Sequence, residues 1–194
     1  ALAKSYRAPG FTGSIPANAK ILIMQPDVEL SLLIIGGAEP KADWSESGTN
    51  NLRGALETAM KSKSHEIRSL NPTEAMEGHP GQLLRLHTAV GDSIMAFTYG
   101  YLRLPTKKDN FAWTLGPGAQ ELATKYDADY ALFTVARGSF SSGGRIAAQI
   151  ALAALGVGVA GGGTQSYVSL VDLKTGQIVW FNFATIGDLR GADG

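Results

Sequence analysis

Tyr167-Val168-Ser169-Leu170-Val171-Asp172-Leu173-Lys174-Thr175-Gly176-Gln177-Ile178-Val179-Trp180-Phe181-Asn182-Phe183 reads as a β-hairpin. Two runs rich in β-branched and aromatic residues flank Asp172 to Gln177, and Gly176 can take the positive φ that a short hairpin loop needs. Upstream lies Ile146 to Gly163, a block of alanine, isoleucine, leucine and glycine in which Gln149 is the one strongly polar residue. A helix that is apolar on every side must be buried somewhere. The small residues Ala147, Ala148, Ala151, Ala153 and Ala154 allow a neighbouring backbone to come close. The block falls short of the roughly 20 apolar residues a membrane span requires, and its last third is glycine-rich. Three destinations stand open: the domain's own core, a subunit interface or a membrane contact. Because the hairpin already covers part of a sheet, the reading inclines towards a contact role for one face.

Further outward the pattern alternates between helix and strand. Ile21-Leu22-Ile23-Met24 is a short buried strand stopped by Pro26, and Val28 to Ile35 is a second, closed by Gly36-Gly37. Asp43 or Ser45 is placed to cap a helix reaching about Lys61, and His65 to Leu70 is the next strand. Leu83, Leu86, Val90, Ile94, Phe97 and Tyr101 step by threes and fours along an amphipathic helix. Gly116-Pro117-Gly118 opens another that ends at Tyr126, since proline is tolerated in a first turn. Tyr130 to Val135 is a strand, followed by a loop from Gly138 to Gly144. The fold class expected is α+β, an α/β sandwich-like mixed sheet of about five or six strands flanked by helices and ending in the hairpin. Residues 1–19 are expected as an extended arm or tether, 20–186 as one domain and 187–194 as a tail.

With 194 residues the chain can bury a substantial core. Lys+Arg and Asp+Glu balance at 17 each, and the longest basic cluster is Lys107-Lys108, so nucleic-acid binding is not expected. There is no cysteine, which excludes disulfides, zinc–thiolate sites, iron–sulfur clusters and thiol catalysis.

Four stretches look chemical at first sight. Gly156-Val157-Gly158-Val159-Ala160-Gly161 spells the dinucleotide fingerprint, but what precedes it is alanine-rich rather than a strand, and no acidic residue follows at the ribose distance. Gly91-Asp92-Ser93-Ile94 is similar to the Gly-Asp-Ser block of one esterase class. Its serine needs a histidine base, and the last histidine, His87, lies upstream on the same expected helix. His65, His79 and His87 have no metal-ligand spacing, and the carboxylates are scattered. The loop from Arg137 to Arg145 joins a strand end to an expected helix start, where free amides favour anions. Ser142, Gly143, Gly144 and Arg145 are therefore the anion-site candidates, although no phosphate-loop lysine is present. No catalytic residue, metal ligand or cofactor site is nominated beyond these.

Lys20 to Leu30, Leu115-Gly116-Pro117-Gly118, Ala128-Asp129-Tyr130-Ala131-Leu132-Phe133 and Ser169 to Asn182 together resemble a family of uncharacterised proteobacterial envelope lipoproteins. That family is similar to the wider group whose α/β domain occurs in the N-terminal part of the Tol translocation protein, in the curli secretion lipoprotein and in penicillin-binding-protein activator lipoproteins. The resemblance implies a non-enzymatic periplasmic protein anchored to the outer membrane and acting through contacts with other envelope proteins; a homo-oligomer is a further expectation, with the chain as a subunit of an assembly. The tether it implies is a lipid-bearing residue upstream of Ala1. A rival expectation is a small-molecule or nucleotide-binding module using residues 138–145.

Overall fold

The computed structural model describes residues 5–63, 65–107, 110–141, 163–186 and 189–190. In chain order it runs β1 (Tyr6–Arg7), β2 (Lys20–Ile23), β3 (Asp27–Ile34), β4 (Gly37–Pro40), α1 (Ala42–Ser62), β5 (Glu66–Ser69) and α2 (Gly78–Ile94). A π turn (Met95–Tyr99) and two short 3-10 turns lead to α3 (Gln120–Tyr126), and β6 (Tyr130–Ser141), β7 (Gly163–Asp172) and β8 (Ile178–Ile186) follow. The strands form one mixed sheet in the order β1-β8-β7-β6-β2-β5, with β3 also on β6 and β4 outside β3. The architecture is the expected α+β one, with eight strands among the described residues rather than five or six.

β2 and β3 lie end to end along the same side of β6, both parallel to it. Ile23 pairs with Leu132 and Asp27 with Val135, so four steps on one strand face three on the other. The extra residue is Pro26, which has no N–H to lose from the ladder. It changes which side chains face which way. Gln25 still reaches Arg53 on α1, whereas Asp27 already reaches Thr88 on α2. Past the bulge, Val28 and Leu30 therefore pack with Trp44 and Leu52 of α1, while before it Leu22 and Met24 face the α2 side.

Helices cover both faces. On one, Leu56 and Met60 of α1 pack with Ile21, Leu132, Leu170 and Val179. On the other, Leu83, Leu84 and Ile94 of α2 and Leu122 of α3 meet Phe133, Val135, Val171 and Phe181. Phe133 and Phe181 are almost wholly buried, and burial of such a side chain contributes about 1.5–3 kcal/mol. α1 begins at Lys41 without a side-chain cap. Ser45 is used otherwise: its hydroxyl donates to the Lys41 carbonyl and accepts the Leu30 N–H, which ties the helix start to β3.

Several elements differ from the sequence expectation. The arm 1–19 does not simply lead in: Tyr6 and Arg7 pair with Phe181 and Trp180 at the sheet edge, and Ala8 is buried. The expected helix through Tyr101 ends as α-helix at Ile94, and the π turn shifts its phase. Tyr99 then points inward against Tyr6 and Phe181, and Tyr101 is fully exposed. The hairpin loop is as read: Gly176 has φ 75° and donates its N–H to the Asp172 carbonyl.

Candidate functional site

The longest run of polar side chains threads between α2 and the sheet. Arg137 of β6 donates to both carboxylate oxygens of Asp27, at 3.1 and 2.9 Å, and to its backbone carbonyl at 2.8 Å. Its Nε lies 3.4 Å from Glu29. Thr88 of α2 donates to the same Asp27 carboxylate at 2.9 Å. Tyr167 of β7 places its hydroxyl 3.1 Å from the Thr88 carbonyl and 3.0 Å from Asp92. Burial first, then the Asp92 charge, raises the Tyr167 phenol above its usual range, so it stays a neutral donor. Four elements are thereby joined through one half-buried ion pair.

Beneath this run sits His87, fully buried and stacked on Phe133 with ring centroids 4.5 Å apart. Its Nε2 is 2.7 Å from the Ser169 hydroxyl, also fully buried. Its Nδ1 has no partner. A bare lone pair is the cheaper orphan, which assigns the proton to Nε2 and the donation to Ser169. Desolvation lowers the His87 pKa to about 3, outweighing the nearby Asp27 charge, so the ring is neutral. A histidine–serine pair invites comparison with a nucleophile and its base. Here both side chains are sealed from solvent, and the arrangement is a core contact.

Each residue singled out from the sequence can now be placed. Ser93 is partly exposed, and its hydroxyl donates to the Ala89 carbonyl one turn back, so the Gly-Asp-Ser likeness is helix surface. His87 turns away from it towards Ser169. His79 contacts the Gly118 carbonyl at 2.7 Å, on the rim of a cleft that Glu74, Glu121 and Lys125 also line. The loop expected from Gly138 is corrected: Gly138 to Ser141 continue β6. A side chain at Gly138 would collide with Thr164 and Leu30, so the glycine serves close packing between strands. Ser142, Gly143, Gly144, Arg145, the glycine fingerprint and nearly all of the apolar block lie outside the described residues. Among the described residues no cluster of histidine and carboxylate side chains could hold a metal ion, and no helix is long and apolar enough to cross a membrane.

The far end of the sheet has a different character. Ile35, in the β3–β4 turn, is 79% exposed, and the neighbouring Ile34 is 39% exposed. β4 beyond it is exposed along its whole length. The last paired residue of β3, Leu33, sits opposite Ser141, where β6 ends. β6 thus ends at Ser141, beside this turn, and β7 begins at Gly163, which pairs with Ser139.

No protein-family model matches the chain, and no curated protein matches it either. Solved structures resemble it loosely. Lipoprotein GNA1162 from Neisseria meningitidis aligns with a TM-score of 0.38 at 11% identity, covering 91% of this chain and 84% of that one. The PelC dodecamer from Paraburkholderia phytofirmans gives 0.42 at 10%, over 99% and 86%. The LpoB C-terminal domain from Salmonella enterica gives 0.37 at 16%, over 93% and 87%. The chain has a structural resemblance to envelope proteins of this kind. No specific family is shown, and at these scores no function is carried across.

Proposed function

We propose that this is a non-catalytic domain of the cell envelope, periplasmic and held at the outer membrane, that works by contact with other protein chains, including copies of itself. The observation that carries the reading is the apolar end of the sheet. Ile35 stands in solvent beside an exposed edge strand, at the end of the sheet where β6 finishes at Ser141 and β7 begins at Gly163. An exposed edge with apolar side chains is a template for association, and proteins without a partner usually blunt it. The polar groups nearest to a catalytic pattern, His87 and Ser169, are buried and bonded to each other, which favours the same reading.

The test is sedimentation of the wild-type chain over a range of concentrations beside Ile35→Asp. The expected result is a mass that grows with concentration for the wild type and a folded Ile35→Asp that stays smaller. Ile150→Asp and Leu152→Asp extend the test to the apolar block, where at least one should remain folded with altered assembly. A wild type monomeric throughout, or unfolding of both block variants with no change for Ile35→Asp, overturns the proposal.

A further inference from the structure

On the opposite side of the sheet, β1 and the stretch after α2 enclose a cleft of about 470 Å³. Arg7, Arg103 and Lys107 line it, together with the polar Thr98 and Asn110, and no carboxylate does so among the described residues. Neither arginine has an ion-pair or hydrogen-bond partner, and both are exposed. Arg68 and Arg137, by contrast, sit on carboxylates. Lys107 is held in place, with its ammonium on the Ala112 carbonyl and 4.9 Å from the Trp113 ring. The wall is aromatic: Tyr6 stacks on Phe111 with centroids 5.8 Å apart and meets Tyr99 edge-on at 5.0 Å. Three cations gathered on this wall, in a chain of zero net charge, are complementary to an oxyanion.

A second observation says where that oxyanion comes from. Tyr101 is fully exposed and Leu102 is 58% exposed, immediately before Arg103. An aromatic residue and a leucine next to arginine and lysine are the side chains that settle at a membrane–water boundary, ring and aliphatic chain at headgroup depth and cations on phosphate. We propose that this cleft binds the phosphate of an anionic lipid headgroup, with Tyr101 and Leu102 seated in the bilayer surface beside it.

The experiment is co-sedimentation of the chain with vesicles of phosphatidylcholine alone or mixed with phosphatidylglycerol, at low and high salt. Binding is expected only to the mixed vesicles and should fade as salt rises. Arg103→Gln should lower partitioning about fivefold, and Tyr101→Ser with Leu102→Ser should lower it too. Lys61→Gln, an equal loss of charge on α1, should leave it unchanged. Circular dichroism confirms that each variant is folded. No binding to mixed vesicles, or equal loss with Lys61→Gln, overturns the site. Binding of free glycerol phosphate, measured by calorimetry, with no vesicle association overturns the lipid assignment.

Discussion

The imidazole of His87 and the hydroxyl of Ser169 meet 2.7 Å apart in the middle of the core, joining α2 to β7 where no water reaches either group. Burial of the imidazole makes stability depend on pH. The folded-state pKa lies near 3 and the unfolded value near about 6.5. Between them the unfolded chain binds a proton that the native chain refuses, so stability is complete above the unfolded value and drains away as pH falls.

Urea unfolding at pH 7 and pH 5 should therefore separate the wild type from His87→Gln, which keeps a polar head but does not titrate. The wild type is expected to lose about 2 kcal/mol more than the variant over that interval. Parallel losses in the two proteins would show that His87 is not the group responsible.

Asp27 and Arg137 hold the start of β3 against β6, and Thr88 shares the same carboxylate. The pair is partly exposed, at 22% and 37% of the two side chains, so its coupling is discounted for solvent. A double-mutant cycle of Asp27→Asn and Arg137→Gln should give about 1 kcal/mol. Additive losses would mean that the ion pair contributes nothing beyond packing.

At Gly91 a single added methyl would overlap the ring of Tyr167. That ring has little freedom to yield, because it stacks on Phe181 at 5.3 Å and its hydroxyl is tied to Thr88 and Asp92. Gly91→Ala should cost about 1–3 kcal/mol despite the better helix propensity of alanine. A rise in melting temperature would contradict the close approach of α2 to β7.

Ser93→Ala should change stability by less than about 0.5 kcal/mol. No turnover on ester, phosphate or glycoside substrates is expected from either protein. Ester hydrolysis abolished by this substitution would refute the non-catalytic reading.

The C-terminal hairpin was legible because Gly176 and the flanking β-rich runs are local signals that need no tertiary context. The end of β6 was not. Gly138-Ser139-Phe140-Ser141 has the composition of a loop, and it becomes strand because β3 and β7 pair with it from both sides. β4 escaped notice for a related reason: an exposed edge strand of four residues has no buried face to impose alternation. Tyr101 was misplaced because the sequence carries no sign that the helix widens into a π turn and rotates its face. His87 was visible as a histidine, yet its partner lies 82 residues away, beyond the reach of any spacing rule.

The extra residue at Pro26 gives the two halves of the β2–β3 edge different alignments with β6, as two scales of a vernier differ by one division. With that residue outside the ladder, Ile23 pairs with Leu132 and Asp27 with Val135, so each half keeps its own offset from β6. Counting Pro26 into the ladder instead would merge the scales and turn Asp27 and Glu29 beneath α1, with Val28 and Leu30 delivered to the polar run of Arg137. One looped-out proline thus decides which helix the apolar side chains of each half meet: α2 for Leu22 and Met24, α1 for Val28 and Leu30.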